Sequence, residues 1–556
     1  MTNLPGWMGW LKHYRHGLLA GDFSAGVVVA MMMIPQGMAY AMVAGLPPVA
    51  GIYASILPPL LYALFGSSMT QSVGPMAIIA LMTAAALGPL AAPGSALYMV
   101  LAAQLALLTG AVLLVCGLLR IGFLANFFSR PVMSGFTIGS ALVIAWGQLP
   151  ALVGAALPPF RLSSLHMPSV LLGGGALLLL LAAKVWLARL LRALGLGHGG
   201  ADIGVRLAPM VVVLGATLLV ARLNLAGAGI HTTGAVPTGL PSLNLALSNG
   251  HWRALLQPAL LIAFMVFLIS MSAAQTLALK RQEKLHSNLE LIGLGAANLG
   301  SALSGAFPVT GSMSRSAVNF SAGANTPLAS VITALLLALA LASPTGWLAL
   351  LPLPALAATI IVAVLGMLEL ATLRTALRYD RGDALALVAT AGGVLALGVE
   401  AGVVTGVVLS MGTLIWRASR PHIVVLGRIV GTEHFRNVER YPGETAPGLL
   451  LLRIDAGLFF GNVEAVNARI EEELAAHSAT RHLVLVLSAV NAIDTSALFG
   501  LTELNALLRQ RGVKLHLAEV KGPVLDRLKT SDLLATLDGK IFLSTAMAWD
   551  ALAESS

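Results

Sequence analysis

Phe307-Pro308-Val309-Thr310-Gly311-Ser312-Met313-Ser314-Arg315-Ser316 is a polar stretch in otherwise very apolar sequence. Pro308 and Gly311 interrupt any helix that reaches them, and a new helical run begins at Ser312. A helix starting here aims unpaired backbone N–H groups, the Ser312 and Ser314 hydroxyls and the Arg315 guanidinium at one spot, which describes an anion site. At membrane depth such a guanidinium is costly and marks function. At an interface the same residue snorkels to water and the serines are a loop.

Composition bears on that choice. Of 556 residues, 57% are hydrophobic and 10% charged, and the mean hydropathy is +0.86. So few polar groups cannot cover a soluble globule of this size, so the chain reads as a polytopic membrane protein. The net charge of +9 is explained by Lys and Arg collected in cytoplasmic loops, and no nucleic-acid partner is expected. Cys116 is the single cysteine, which rules out an intrachain disulfide or a cysteine metal site. Trp7, Trp10 and Tyr14, with Lys12 and Arg15, suit an interfacial segment before the first span. No cleaved signal peptide is expected.

The first span covers about 22–42 and contains Ile34-Pro35-Gln36-Gly37-Met38-Ala39-Tyr40. Pro and Gly together predict a kink or break that gives Gln36 and Tyr40 a cavity to face. A second span, about 51–65, precedes Gly66-Ser67-Ser68-Met69-Thr70-Gln71-Ser72-Val73-Gly74-Pro75-Met76. Here too a polar break leads into a short helix, with Pro75 expected in its first turn and its end near Leu87. Matching interrupted segments in the two halves of a membrane domain point to a transporter site between inverted repeats.

Further spans are expected at about 96–117, 128–149, 169–188 and 205–222, then 255–278, 289–307, a half-helix from 312, 327–342, 355–370, 384–397 and 401–416, about fourteen in all. The charges agree with that count. Arg120, Lys184, Arg189, Arg192, Lys280, Arg281, Lys284, Arg374, Arg378, Arg381, Arg417 and Arg420 follow or flank even-numbered spans, whereas 223–252 carries no Lys, Arg, Asp or Glu. The amino terminus is therefore expected inside and that loop outside. After Arg420, apolar runs at 448–455, 482–487 and 513–517 alternate with helical patterns at 463–475 and 495–509 and a further helix start at 524–528. This is the pattern of a small α/β domain on the cytoplasmic side. The expected domains are residues 1–420, spanning the membrane, and 421–556, linker and cytoplasmic domain.

Pro35-Gln36-Gly37-Met38-Ala39-Tyr40, Ser72-Val73-Gly74-Pro75 and Pro308 to Arg315, in that order, resemble the SulP family of anion transporters, relatives of pendrin and prestin. Arg453-Ile454-Asp455, Leu458-Phe459-Phe460 and Ile493-Asp494-Thr495-Ser496 resemble a STAS domain. The resemblance covers nearly the whole chain. It implies fourteen membrane segments in two inverted seven-segment repeats that form core and gate domains, a homodimer, and an anion held between the amino termini of the third and tenth segments. By the same resemblance, Val73, Gly74, Pro75 and Met76 enter the third segment, Ser312, Met313 and Ser314 enter the tenth, Arg315 is the positive residue beside the site, and Gln36 and Tyr40 line the cavity.

One departure concerns coupling. Many prokaryotic members carry a carboxylate in the eighth segment where Ile269 stands here, and no Asp or Glu lies between Arg253 and Arg281. That favours exchange or uncoupled transport over ion-coupled symport. Glu369 and Glu400 fall near span ends, and Glu290 suits the amino end of the ninth span. In the tail, Ser496 matches a position phosphorylated in signalling STAS domains, but Val486 stands where an Asp is usual; Asp494 and Ser496 also suit a helix cap. An anion channel of the same architecture and a STAS-based membrane sensor are the other readings. No enzyme motif, cofactor site or metal-ligand spacing is found. Sulfate, bicarbonate, chloride and dicarboxylates all fit a dipole-plus-arginine site, and the lipid bilayer and a cytoplasmic partner of the STAS domain are the other expected contacts.

Overall fold

Apolar helices fall into two runs of matching order. The first comprises α1 (Leu19–Val43), α2 and α3 (Val49–Tyr53 and Leu57–Phe65), the short α4 (Ala77–Leu87), α5 (Ala96–Leu118), α6 (Arg130–Val153), α7 (Met167–Ala182, continuing through a π turn to Ala193) and α8 (His198–Arg222). The second comprises α9 (Trp252–Arg281), α10 (Ser287–Leu303), the short α11 (Met313–Ser321), α12 (Leu328–Ala342), α13 and α14 (Leu353–Leu365 and Leu370–Tyr379), α15 (Arg381–Leu397) and α16 (Val399–Ala418). In each run the third span is a half-length helix. A computed structural model describes residues 10, 14–123, 129–155, 166–195, 197–234, 237–241, 251–343, 345–368 and 370–553, with backbone alone at 198–200, 400 and 403. Trp7, Lys12, Phe128, Glu369 and the Glu400 side chain lie outside the described residues, as does much of the 223–252 loop.

Seven of the helical segments among the described residues are long and apolar enough to cross a membrane. Leu171, Leu178, Leu179 and Trp186 on α7 and Leu218 on α8 are exposed, which suits lipid contact, since lipid tails solvate leucine as well as another helix does.

Several expectations are corrected. Of the kink or break expected at Pro35, the break does not occur: α1 runs through it. The neighbouring Gly37 instead admits a crossing so close that a Cβ on Gly51 would stand 1.8 Å from the Gly37 carbonyl oxygen. The expected second span is two short helices, and Ser55 Oγ, between them, donates to Gly51 O (2.7 Å). The expected 355–370 span ends at Leu365, and the expected 289–307 span ends at Leu303. Trp10, expected at the interface, is buried, and its indole N–H donates to Ala63 O (2.9 Å).

Residues Met1–Ser410 and Met411–Ser556 form separate compact units. The second contains a six-stranded sheet in the order β4-β3-β5-β6-β7-β8: β3 (Ile423–Arg428), β4 (Phe435–Asn437), β5 (Leu449–Ile454), β6 (His482–Val486), β7 (Lys514–Ala518) and β8 (Ile541–Phe542). β5 to β8 pair in parallel, and β3 is antiparallel to β4 and β5. A parallel strand covered on both faces must be apolar throughout. Leu450, Leu452 and Ile454 accordingly pack with α17 (Val463–Ala476) and α18 (Thr495–Gln510), while Leu449 and Leu451 join the cluster of α20 (Thr545–Leu552) on the other face. α19 (Gly522–Lys529) follows β7. Within 421–556 the sequence reading placed its first strand at 448 and its last at 513–517, and so missed β3, β4 and β8.

Candidate functional site

The two polar breaks meet. Val73-Gly74 (β1) pairs antiparallel with Thr310-Gly311 (β2), Val73 opposite Gly311 and Gly74 opposite Thr310. Flanking bonds lengthen the crossing: Ser312 N donates to Ser72 O (3.1 Å), Ser72 N to Ser316 Oγ (2.9 Å), and Asn319 Nδ2 to Thr70 O (2.9 Å). Extended backbone at membrane depth needs such partners, because nothing else there satisfies its N–H and C=O groups. Asn298 of α10 serves Val309 from the side, accepting its N–H (2.9 Å) and donating to its carbonyl (3.0 Å). Thr310 Oγ1 donates to Val266 O of α9 (2.9 Å). A Cβ at Gly311 would fall 1.7 Å from Gln71 Nε2, so a larger residue there would displace the Gln71 side chain.

From this crossing the two half-helices run out. Met76, in extended conformation, precedes α4 without a side-chain cap, so the first N–H groups of α4 are left for another acceptor. Pro75, expected in the first helical turn, lies before the helix start. Ser312 precedes α11, and its Oγ stands 3.5 Å from Arg315 N, a weak cap. Arg315 is 2% exposed. Its Nη1 donates to Pro75 O (2.5 Å), while Nε and Nη2 have no partner among the described residues. Nη2 lies against Gly74, where a Cβ would be 3.5 Å from it. Tyr40, buried on α1, interacts electrostatically with Arg315. Gln36, one turn earlier on the same helix, is half-buried.

Val73, Gly74, Pro75, Met76, Ser312 and Arg315 are thus brought together and buried, with Tyr40 alongside. Met313 and Ser314 are exposed and lie outside that buried cluster. Ser316 and Asn319 take the inward positions that the sequence reading gave to Ser314. Their signal was the spacing 312, 315, 316, 319, one polar face of a helix. The opposite end of α11 is tied down by charge. Arg206 of α8 donates to Ala317 O (2.8 Å) and Ser321 Oγ. Arg281 donates to Ala324 O (3.0 Å) and Asn325 O (3.1 Å). Guanidinium groups at that end complement the helix dipole. Asp22, fully buried, accepts from Asn325 N (2.6 Å), Thr326 N (3.0 Å) and Thr326 Oγ1 (2.7 Å).

In the second unit Asp494 caps α18, accepting from Ala497 N (2.8 Å) and from Phe460 N (2.9 Å). Ser496 is exposed in the first turn and takes no part in the cap. Among the described residues no three His, Cys, Asp or Glu side chains gather as metal ligands.

Helices broken at midspan around a buried guanidinium with one of its three nitrogens bonded, followed by a separate α/β unit, fit a class of membrane transporters. The sequence matches the Sulfate permease family over residues 19–390 and the STAS domain over 442–548. A probable sulfate transporter of Mycobacterium tuberculosis is 36% identical, with 97% of this chain and 96% of the relative aligned. Sulfate transporter 4.1 (chloroplastic) of Arabidopsis thaliana is 34% identical over 92% of this chain and 76% of the relative. The structure of the murine Solute Carrier 26 family member A9 anion transporter in the inward-facing state superposes with a TM-score of 0.89 at 21% identity, covering all of this chain and 94% of the other. The transmembrane domain of a cyanobacterial bicarbonate transporter superposes at 0.60 and 21% identity, over 71% of this chain and 98% of the other. The chain belongs to the sulfate permease family, a transporter and not an enzyme family, and has that α-helical polytopic membrane fold with a carboxy-terminal STAS domain.

Proposed function

We propose that the protein is a secondary transporter that moves sulfate, or a similar small oxyanion, by alternating access, with the anion held between the amino termini of α4 and α11. The observation that carries this reading is Arg315: a buried guanidinium with two N–H-bearing nitrogens unpartnered. A buried charge without a counter-charge is unfavourable, and an oxyanion seated there accepts from Nε and Nη2. Each helix end adds about half a positive charge. Backbone N–H at Ala77, the Ser312 hydroxyl and Arg315 then replace the water that a doubly charged anion gives up. The names of the curated relatives favour sulfate.

The membrane domain is taken as 1–420 and the linker and STAS domain as 421–556, cytoplasmic by the Lys/Arg asymmetry, in a plasma-membrane homodimer. The deciding experiment is a competition panel in proteoliposomes, with labelled sulfate against unlabelled sulfate, bicarbonate, chloride and dicarboxylates. Saturable uptake that unlabelled sulfate suppresses best is expected. Uptake that neither saturates nor responds to anion on the opposite side would make the protein a channel, and best suppression by another anion would replace sulfate as substrate.

A further inference from the structure

We propose that Glu290 is the proton-binding group of this transporter, and that its proton is linked to anion binding by a hydrogen-bond chain ending at β2. This rests on the reading of the β1–β2 crossing as the anion site. It reverses the expectation of uncoupled transport drawn from the missing carboxylate near Ile269.

Glu290, at the start of α10, is fully buried. Its Oε1 accepts from Ser67 N (3.0 Å), Ser67 Oγ (2.7 Å) and Ser68 N (2.9 Å). Its Oε2 lies 2.7 Å from Tyr62 Oη of α3. No cation pairs with it among the described residues. Tyr62 is the titratable group facing it from α3, and the 66–72 segment offers only uncharged side chains. Cys116 and Arg120, at the end of neighbouring α5, and Glu283, Lys284 and His286, ahead of α10, make no bond to it.

The protons do not balance if Glu290 is ionised. Tyr62 Oη is also 2.9 Å from Gln71 Oε1. The Gln71 amide cannot be turned around, because its other end meets the Ser270 carbonyl (3.2 Å), which only accepts. A phenol has one proton, so Tyr62 can serve the carboxylate or Gln71 but not both, and a buried acceptor left facing an oxygen is costly. A proton on Glu290 Oε2 completes the chain: Glu290 donates to Tyr62, Tyr62 to Gln71, and Gln71 to Ser270. Gln71 abuts Gly311 so closely that no Cβ fits between them, and the adjoining Ser72 carbonyl takes the Ser312 N–H. The three donors on Oε1 hold the carboxyl in either state, so loss of the proton moves Tyr62 away from Gln71 and loosens the support of β2. Protonation and anion binding therefore favour each other.

The test uses purified full-length protein and sulfate, which does not itself titrate near neutrality. Adding sulfate to a lightly buffered solution between about pH 5 and 8 should draw protons from it, up to about one per chain, and sulfate affinity should fall by up to about tenfold per pH unit on the alkaline side. Glu290→Gln keeps the acceptor for Ser67 and Ser68 and supplies a permanent donor to Tyr62. It should bind sulfate at every pH as the parent does at low pH, and take up no protons. Tyr62→Phe should also bind with a flat pH profile. Saturable, Arg315-dependent binding in the parent without proton uptake or pH dependence would sink the proton link alone, as would a Glu290→Gln protein that keeps the parent's profile. Absence of saturable sulfate binding at any pH would sink the anion site as well. Where Glu290→Gln does not purify as a single species, proton uptake by the parent decides.

Discussion

Arg315 Nη1 donates to the carbonyl oxygen of Pro75 at 2.5 Å, so a side chain on one half-helix is anchored to the backbone that leads into the other. This bond commits one nitrogen of the guanidinium to structure and leaves Nε and Nη2 without a partner among the described residues, which is what the proposed anion site uses. It also makes Arg315 a joint between the two breaks.

Arg315→Ala is accordingly expected to weaken sulfate binding more than Ser312→Ala or Ser314→Ala. A hydrogen bond between charged partners is worth roughly 1.5–3 kcal/mol, or about ten- to a hundredfold in affinity, and a neutral donor about half that energy. Ser314, exposed, should matter least. Arg315→Lys should restore part of the affinity, because it returns the charge without the planar fork. Equilibrium binding of labelled sulfate to the four variants, with size-exclusion profiles as the check on folding, measures this; parent-like affinity in Arg315→Ala would remove the arginine from the site.

Gly51→Ala is expected to lower the thermal midpoint in detergent, since its Cβ would enter the Gly37 carbonyl and overpacking costs about 1–3 kcal/mol. Gly174→Ala on α7, where a Cβ meets nothing within 4 Å, is the control and should be neutral or slightly stabilising. Equal midpoints for the two would mean that α1 and α2 are not as close as 1.8 Å implies.

Removing the residues after Arg420 should reduce expression or rate and leave the order of preferred anions unchanged, because both half-helix entries precede that point. The same competition panel on the truncated protein checks it. A changed preference would place part of the site in the tail.

Acid should destabilise the STAS unit through His516. Burial, with smaller contributions from His482, Lys514 and Lys540, pushes its imidazole down to about 4. Nδ1 accepts the Lys540 backbone N–H (2.9 Å), and the other ring nitrogen faces His482 Nδ1 (3.1 Å). The folded state holds it neutral, so its contribution is full above the ordinary value of 6.5 and is lost as pH falls from there toward about 4. Denaturant unfolding of a soluble fragment covering 421–556 should show that slope, and His516→Gln should flatten it. An unchanged slope in the variant would assign the acid sensitivity to another group.

Glu290 and Asp22 show where reading from the sequence stops. Each is an acid at the start of an apolar run, and such an acid ordinarily caps its own helix or meets water. Here both are buried and bond to segments far away in sequence, Ser67 and Ser68 for one, Asn325 and Thr326 for the other. No local pattern encodes a partner some 220 or 300 residues distant. Pro35 is a narrower case: its local rule allows a kink or a break, and the helix runs through it unbroken.

The sequence by itself determined what depends on short-range chemistry. Hydropathy set the membrane class, charge asymmetry the expected orientation, the alternation after Arg420 the α/β tail, and the Pro-Gly-Ser clusters at 66–76 and 307–316 the two breaks. Only the tertiary structure decided what those breaks do together. That Arg315 is buried and not at an interface depended on bringing Gly311 opposite Val73, a long-range pairing beside which one nitrogen of the guanidinium is satisfied by Pro75 O. The same pairing turns Ser316 inward and leaves Ser314 out, because facing across a crossing is fixed by the register of the two strands and the phase of the helix that follows, which residue spacing alone does not carry.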